Sequence, residues 1–313
     1  MNYFIGVDGG ASKTAALVVD EQGKALGRGL AGPSNHLRVG IEEATRNVER
    51  AVNIALVEAG IAIKDVEYAY CGIAGADHPF HRQNVVDSLR IFFPRGNFIV
   101  DTDARIALTG AVGFGAGIVV ISGTGSVAFG RSAAGQESRA GGWGPTLGDE
   151  GSGYWIAREG LSAIVRAHDG RGFATKMTDL LCEAYGMCEP NDLPRFVYAA
   201  TTHVDDIARY GKLVIDAAHA GDDVAREILT RGGSELAECV LAIARKLHMT
   251  DSEFPVAYVG GAFHAAEMLL GPMRLRITRD APGAVLAKPE HTPVEGAAMM
   301  AMHAAAAPRV GRE

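Results

Sequence analysis

Ile121-Ser122-Gly123-Thr124-Gly125-Ser126 closes an apolar run that begins at Ala116, and its reading decides the fold. A strand that ends in two glycines separated by a hydroxyl residue lets backbone N–H groups approach an anion without an intervening Cβ. The same grammar occurs twice more. Asp8-Gly9-Gly10-Ala11-Ser12-Lys13-Thr14 follows the apolar run Tyr3–Val7, and Val259-Gly260-Gly261-Ala262-Phe263 follows Pro255–Tyr258. One glycine turn says little. Three in this order, with acidic residues between them, point to a phosphate-binding cleft and to ATP-dependent phosphoryl transfer.

Working outward, each turn has its own chemistry. Asp8 ends a strand beside two glycines, where it can hold Mg2+ through water, since magnesium keeps much of its hydration shell. Around it Gly10 offers backbone, Ser12 and Thr14 offer hydroxyls, and Lys13 offers charge. The spacing is not that of a Walker A loop. An ordinary hairpin turn with a capping Asp is the bland alternative. Gly123, Thr124 and Gly125 suit the β- and γ-phosphates, or form a plain hairpin turn. Gly260 and Gly261 open a helix after a buried strand. They suit the adenosine end of a nucleotide, or simple helix–strand packing.

Between the first two turns lies Asp101-Thr102-Asp103. A kinase acting on an alcohol needs a base within hydrogen-bond reach of the hydroxyl. Asp103 is the candidate, just past a strand at the end where ligands gather in α/β sheets. It could equally serve as a helix N-cap. Gly141 to Gly153 holds six glycines in thirteen residues, together with Asp149, Glu150 and Trp143. Paired carboxylates there can accept from sugar hydroxyls, or can simply favour a helix N-terminus. Asn35, in Ser34-Asn35-His36, is a further candidate sugar contact or an Asx-turn residue.

Composition narrows the class. The chain has 313 residues, 48% hydrophobic and 21% charged, with 40 glycines, which fits an α/β protein with a full core and many tight turns. Net charge is −7 and the basic residues form no blocks, so nucleic acid is disfavoured as a partner. No apolar run approaches the ~20 residues needed to cross a membrane. Cys71, Cys182, Cys188 and Cys239 have no zinc or CxxC spacing, and all four are expected as reduced thiols in a cytoplasmic protein.

Periodicity predicts strands at 3–7, 14–20 and 25–29, a helix over 41–59 stopped by Gly60, a strand at 66–72, a helix at 81–90 and a strand at 97–101. This order is that of a ribonuclease-H-like fold. The pattern restarts with strands at 116–122, 126–131 and 137–141. Helices then fill most of 150–250, including 152–166 and 225–247, before the strand at 255–259. A structural duplication is expected. The tail from Ala304 to Glu313 reads as a helix end followed by disorder.

The motifs DGGASKT, SNH, TDA, ISGTGS, GGWGPTLGDEGSGYWIA and VGGAF, in this order, resemble the eukaryotic-type N-acetylglucosamine kinases. These form part of the BadF/BadG/BcrA/BcrD branch of the actin, Hsp70 and sugar-kinase superfamily. The resemblance implies an α/β fold of two ribonuclease-H-like (actin-like ATPase) lobes with a central ATP/sugar cleft. The lobes are expected at 1–115 and 116–292, with a C-terminal helix at about 293–313 packing back on the first. It implies transfer of the γ-phosphoryl of ATP to the 6-hydroxyl of N-acetylglucosamine or glucosamine, and a homodimer. Asp103 matches the general base; Asn35, Gly142 and Asp149 match sugar contacts; Asp8, Gly10, Thr14, Thr124 and Gly125 match the phosphate and magnesium region. Two positions depart from the pattern. Val127 stands where Asn commonly follows GTGS, and Ala74 where a hydroxyl is expected. Losing those polar contacts opens the site to glucosamine or a broader hexose range. The superfamily also contains ATP-dependent activators of 2-hydroxyacyl-CoA dehydratases and benzoyl-CoA reductases, and non-catalytic sugar sensors. The cysteines form no convincing cluster motif for the former, and a sensor would lack the base.

Overall fold

The computed structural model describes residues 2–306. The described residues divide into two compact units, 2–115 with 288–306 and 116–287. Each is built on one five-stranded mixed sheet.

In the first unit β1 (Tyr3–Gly9), β2 (Thr14–Val19) and β3 (Ala25–Ala31) form an antiparallel meander. β4 (Val66–Ile73) and β5 (Phe98–Asp101) then add in parallel on the other side of β1, giving the order β3-β2-β1-β4-β5. Strand alternation divides the core between the two faces. Ile5, Val7, Val18, Ala69 and Cys71 pack beneath the helix Ile41–Ala59, whose Val48, Ala51, Val52 and Ala55 face the sheet. Phe4, Leu17, Val19 and Tyr70 point the other way, against Ile106 of the helix Asp103–Val112 and Val294, Ala297 and Ala301 of the helix Pro293–Ala306. Gly60 ends the long helix in the left-handed conformation at φ 68°.

The second unit repeats the plan. β6 (Gly117–Ser122), β7 (Ser126–Arg131) and β8 (Glu137–Gly141) are the meander; β9 (Phe254–Val259) and β10 (Ala284–Ala287) add in parallel beside β6. The order β10-β9-β6-β7-β8 is that of the first sheet, so β6 corresponds to β1 and the GTGS turn to the DGG turn. This is the α/β, twice-repeated ribonuclease-H-like architecture that the sequence predicts. The core here centres on the helix Asp223–Lys246, whose Leu236, Val240 and Ile243 are buried together with Ile118, Val120 and Ala128 of the sheet.

Four details differ from the sequence reading. Residues 288–292 belong with the first unit, because the N–H groups of Glu290 and His291 donate to the carbonyls of Ala111 and Gly110 at 3.2 and 2.8 Å. β10 is an additional strand; its four residues are too short for a periodic signal. Gly261–Ala265 form a short 3-10 helix, and the regular helix starts only at Glu267. Cys182 and Cys188 are disulfide-bonded, which corrects the expectation of four reduced thiols. The helix Met177–Tyr185 stops at Gly186, at φ 67°, and the chain turns back so that the two Cα atoms lie 4.2 Å apart. Cys71 and Cys239 are free. The C-terminal helix is described to Ala306, and the disorder expected at the tail falls on 307–313, outside the described residues.

Candidate active site

The parallel strands β1, β4 and β5 end side by side, with Asp8 in register with Gly72 and Gly72 with Asp101. Carboxyl ends of parallel strands are where α/β sheets gather ligands. Asp8 sits in β1 itself, and Asp103 opens the helix directly after β5. Burial pushes the Asp8 carboxyl up to about 6 despite the opposing pull of Lys13. Burial, and then the negative charges of Asp8 and Asp77, push Asp103 up to about 7, while the N–H of Ala104, 2.9 Å away, pulls it down.

The N-cap alternative for Asp103 falls to its neighbour. Thr102 caps the helix, its Oγ1 accepting from the N–H of Arg105 at 3.3 Å. Asp101 is held internally. Its Oδ2 accepts from the Tyr70 hydroxyl at 2.7 Å and from Arg105, its Oδ1 accepts from the Thr102 N–H at 2.8 Å, and Arg82 lies 3.6 Å away. Arg82 also donates to the Ala76 carbonyl at 3.0 Å, so one buried carboxylate ties the end of β5 to the loop after β4. Sequence reading missed this network. Its only signal was a Tyr and two Arg whose partners are distant in sequence.

The first glycine turn is tight, with the Gly10 N–H donating to the Lys13 carbonyl at 2.9 Å. Ser12 and Lys13 are exposed on it. The Thr14 side chain is fully buried, and its hydroxyl bonds the Gly32 carbonyl at 2.7 Å and lies 2.9 Å from Ser34 Oγ. The side chain anchors the loop that carries Asn35. Asn35 Oδ1 accepts from the Leu37 N–H at 3.1 Å, while its amide nitrogen has no partner among the described residues. His36, read from sequence as a loop residue, is 8% exposed and has no hydrogen-bond partner on either ring nitrogen. It packs against His81, and burial holds it below the ordinary histidine range.

In the second unit the segment after Gly148 wraps the GTGS turn. Ser122 and Ser126 donate their hydroxyls to the carbonyls of Gly151 and Glu150, each at 2.8 Å. The N–H groups of Gly153 and Tyr154 reach the carbonyls of Gly123 and Thr124 at 2.8 and 3.2 Å. Ser152 caps the helix Gly153–His168. Gly142 donates its N–H to the Ser126 carbonyl at 2.9 Å and packs against Val127. Gly260 adopts φ 121°, and a Cβ on it would lie 2.2 Å from the Ser122 carbonyl, so only glycine lets β9 end against the GTGS turn. Trp143 and Leu147 are 66% and 78% exposed, with the Arg139 guanidinium over the Trp143 ring.

Of the candidate residues, the first unit thus holds Asp8, Gly10, Ser12, Lys13, Thr14, Asn35 and Asp103. The second brings together Gly123, Thr124, Gly125, Gly142, Asp149 and Gly260, with Gly261 next in the chain. The donor set around Asp8 suits a hard cation, because carboxylate oxygens are what magnesium prefers. Among the described residues no group of three or more His, Cys, Asp or Glu forms a metal cage. A single carboxylate, with water and phosphate oxygens completing the shell, is the ordinary mode for nucleotide-borne magnesium.

Known proteins resemble this chain in sequence and in fold. An N-acetylmuramic acid/N-acetylglucosamine kinase of Clostridium acetobutylicum is 32% identical over 274 residues, 88% of this chain and 90% of its own. An N-acetyl-D-glucosamine kinase of Dictyostelium discoideum is 29% identical over 96% of this chain and 98% of its own. A solved Chromobacterium violaceum protein assigned as an N-acetylglucosamine kinase superposes with a TM-score of 0.77 at 28% identity, covering 96% of this chain and 99% of its own. The model of the BadF/BadG/BcrA/BcrD ATPase family matches residues 5–301, a span that takes in all three glycine turns, Asp8 and Asp103. The chain belongs to the BadF/BadG/BcrA/BcrD ATPase family.

Proposed function

We propose that the protein is an ATP-dependent amino-sugar kinase that phosphorylates the 6-hydroxyl of N-acetylglucosamine or glucosamine. The observation that carries this is Asp103, a carboxylate at the ligand end of a parallel sheet whose surroundings hold it near neutrality. A base poised near the working pH accepts an alcohol proton efficiently. Two other acids of this end of the sheet have other roles, Asp101 with its internal partners and Asp8 beside the first glycine turn.

In this reading Asn35 presents its amide to a sugar hydroxyl, and Gly142 and Asp149 supply the second unit's sugar contacts. In the first unit Gly10, Ser12 and Lys13 are candidate phosphate contacts; in the second Gly123, Thr124 and Gly125 are candidate phosphate contacts and Gly260 and Gly261 candidate adenosine contacts. Asp103 takes the proton of the attacking hydroxyl. Asp8 would hold magnesium through water, and the ion would supply charge neutralisation of the phosphoryl oxygens during transfer. Val127 packs against Gly142 where the resembling kinases carry an amide, which removes a polar partner for an acetamido group.

The activator reading is weaker, since it needs free cysteines for an iron–sulfur cluster. Cys182 and Cys188 are bonded to each other and Cys71 is buried within β4. Among the described residues no helix is long and apolar enough to cross a membrane. A cytoplasmic location and a homodimeric state are part of the same proposal.

The test is ATP consumption with magnesium against N-acetylglucosamine, glucosamine, N-acetylmuramic acid and glucose, with each 6-deoxy analogue as control. Turnover of an amino sugar that vanishes with its 6-deoxy form is the expected result. No turnover with any of them, or turnover unaffected by removing the 6-hydroxyl, overturns the proposal.

A further inference from the structure

Asp149 is an acid in an unusual backbone state. It adopts φ 60°, in the left-handed region that L side chains rarely occupy, and it is 7% exposed. Such strain persists only where the surroundings over-determine it. The surroundings here are the GTGS turn on one side and the Trp143 loop on the other. Asp149 Oδ1 accepts from the Gly144 N–H at 3.1 Å, and the nearby Ser126 N–H favours the charged form of the carboxylate. Its Oδ2 lies 2.6 Å from where a Cβ on Gly125 would stand. The side chain therefore lies flat against the turn, and Gly125 is a glycine partly because this carboxylate occupies the space beside it.

We infer that Asp149 is a positioning residue for the phosphate turn: its carboxylate fixes the Gly125–Ser126 backbone in the shape that receives a nucleotide, whether or not sugar is present. This rests on the reading of Gly123, Thr124 and Gly125 as the phosphate site. Backbone donors are effective toward an anion only when they are held in place beforehand. A carboxylate accepting from a turn N–H is a charge-assisted hydrogen bond, stronger than a neutral one. The same side chain restrains Gly144, so the turn and the exposed Trp143 loop are braced by one group. A residue that only touched sugar would have no reason to sit in strained backbone with one oxygen on the Gly144 N–H and the other against Gly125.

The test is calorimetric binding of magnesium adenylyl imidodiphosphate with no sugar present. The wild type is compared with Asp149→Asn, Asp149→Ala, Gly125→Ala and the double variant Asp149→Ala with Gly125→Ala. Asp149→Ala should weaken the nucleotide by about tenfold or more, the scale of losing charge-assisted hydrogen bonds. Asp149→Asn, which keeps an acceptor oxygen, should weaken it less. Gly125→Ala should also weaken binding, and adding it to Asp149→Ala should cost little more, because both changes disrupt one contact. Should Asp149→Ala fail to fold, the near-isosteric Asp149→Asn still reads that contact. Unchanged nucleotide affinity in the folded variants, with only the sugar KM rising, overturns the inference and leaves the kinase reading standing. A wild type that binds no nucleotide overturns both.

Discussion

Asp103→Asn should separate activity from stability. In the folded protein the Asp103 carboxyl titrates at about 7 against an ordinary value of 3.8, so its charged form is disfavoured by burial and by Asp8 and Asp77. At about 1.4 kcal/mol per pH unit, the difference of about three units corresponds to about 4 kcal/mol as an upper bound. Asp103 is half-buried and coupled to Asp8, so solvent screening and shared protons reduce the recoverable part to about 1–2 kcal/mol. Asparagine has the same shape and carries no charge. The variant should therefore be more stable than the wild type at pH 8, by a few degrees in Tm.

The sign fixes the pH window. A carboxyl whose folded pKa is raised binds its proton more tightly in the folded state than in the unfolded one. Its contribution to stability is present below about pH 4 and is lost as the pH rises to about 7. The advantage of Asp103→Asn should accordingly be near zero at pH 4, grow between pH 4 and 7, and level off above. Turnover should fall about 10²–10⁴-fold, the usual cost of removing a general base. Thermal unfolding at several pH values, with steady-state kinetics at pH 8, reads both. Full turnover by the variant, or a Tm below that of the wild type at pH 8, would refute the reasoning.

For the wild type, kcat/KM should fall tenfold per pH unit below about pH 7 as Asp103 protonates, and a flat profile between pH 5 and 8 would exclude it as the base. Val127→Asn, which restores a polar group against Gly142, should raise the kcat/KM ratio of N-acetylglucosamine over glucosamine by about tenfold or more; an unchanged ratio would show that this position does not face the sugar. Asp101→Ala removes the carboxylate that Tyr70 and Arg105 share, and should lower stability by about 1–3 kcal/mol in denaturant unfolding. Thiol titration of the unreduced, denatured protein should count Cys71 and Cys239 alone, two thiols, whereas four would contradict the Cys182–Cys188 bond.

What could be read from the sequence was whatever depends on neighbours in the chain. The helix Ile41–Ala59 was legible to the residue because its apolar period and Gly60 lie together. The meander strands were legible from apolar runs and the turns between them. Asp103 stood out because a strand, an acid and a helix start fall within a few residues. The disulfide was illegible, since a spacing of six becomes a bridge only when Gly186 reverses the chain. The internal partners of Thr14 were illegible from its place in the motif. Only the fold brings Gly32 and Ser34 to its hydroxyl and turns it inward. The Asp101 network and the burial of His36 are likewise products of tertiary contact.

The repeated strand order explains why the two sheets carry different chemistry at equivalent places. The turn after β1 and the turn after β6 meet the same backbone requirement, a sharp reversal open to an anion, and both solve it with small residues. Everything beyond that requirement differs. The first turn is followed by Lys13 and flanked by an acid, Asp8, so it suits a cation and its phosphates. The second has no acid in the turn itself, and its nearest carboxylate, Asp149, comes from a segment that exists only between β8 and the following helix. A duplicated fold therefore preserves the place where ligands gather, and insertion after the meander supplies the side chains. That is why the glycine turns point to the superfamily, while the Gly141–Gly153 segment, inserted after the second meander, is where substrate identity should be sought by mutation.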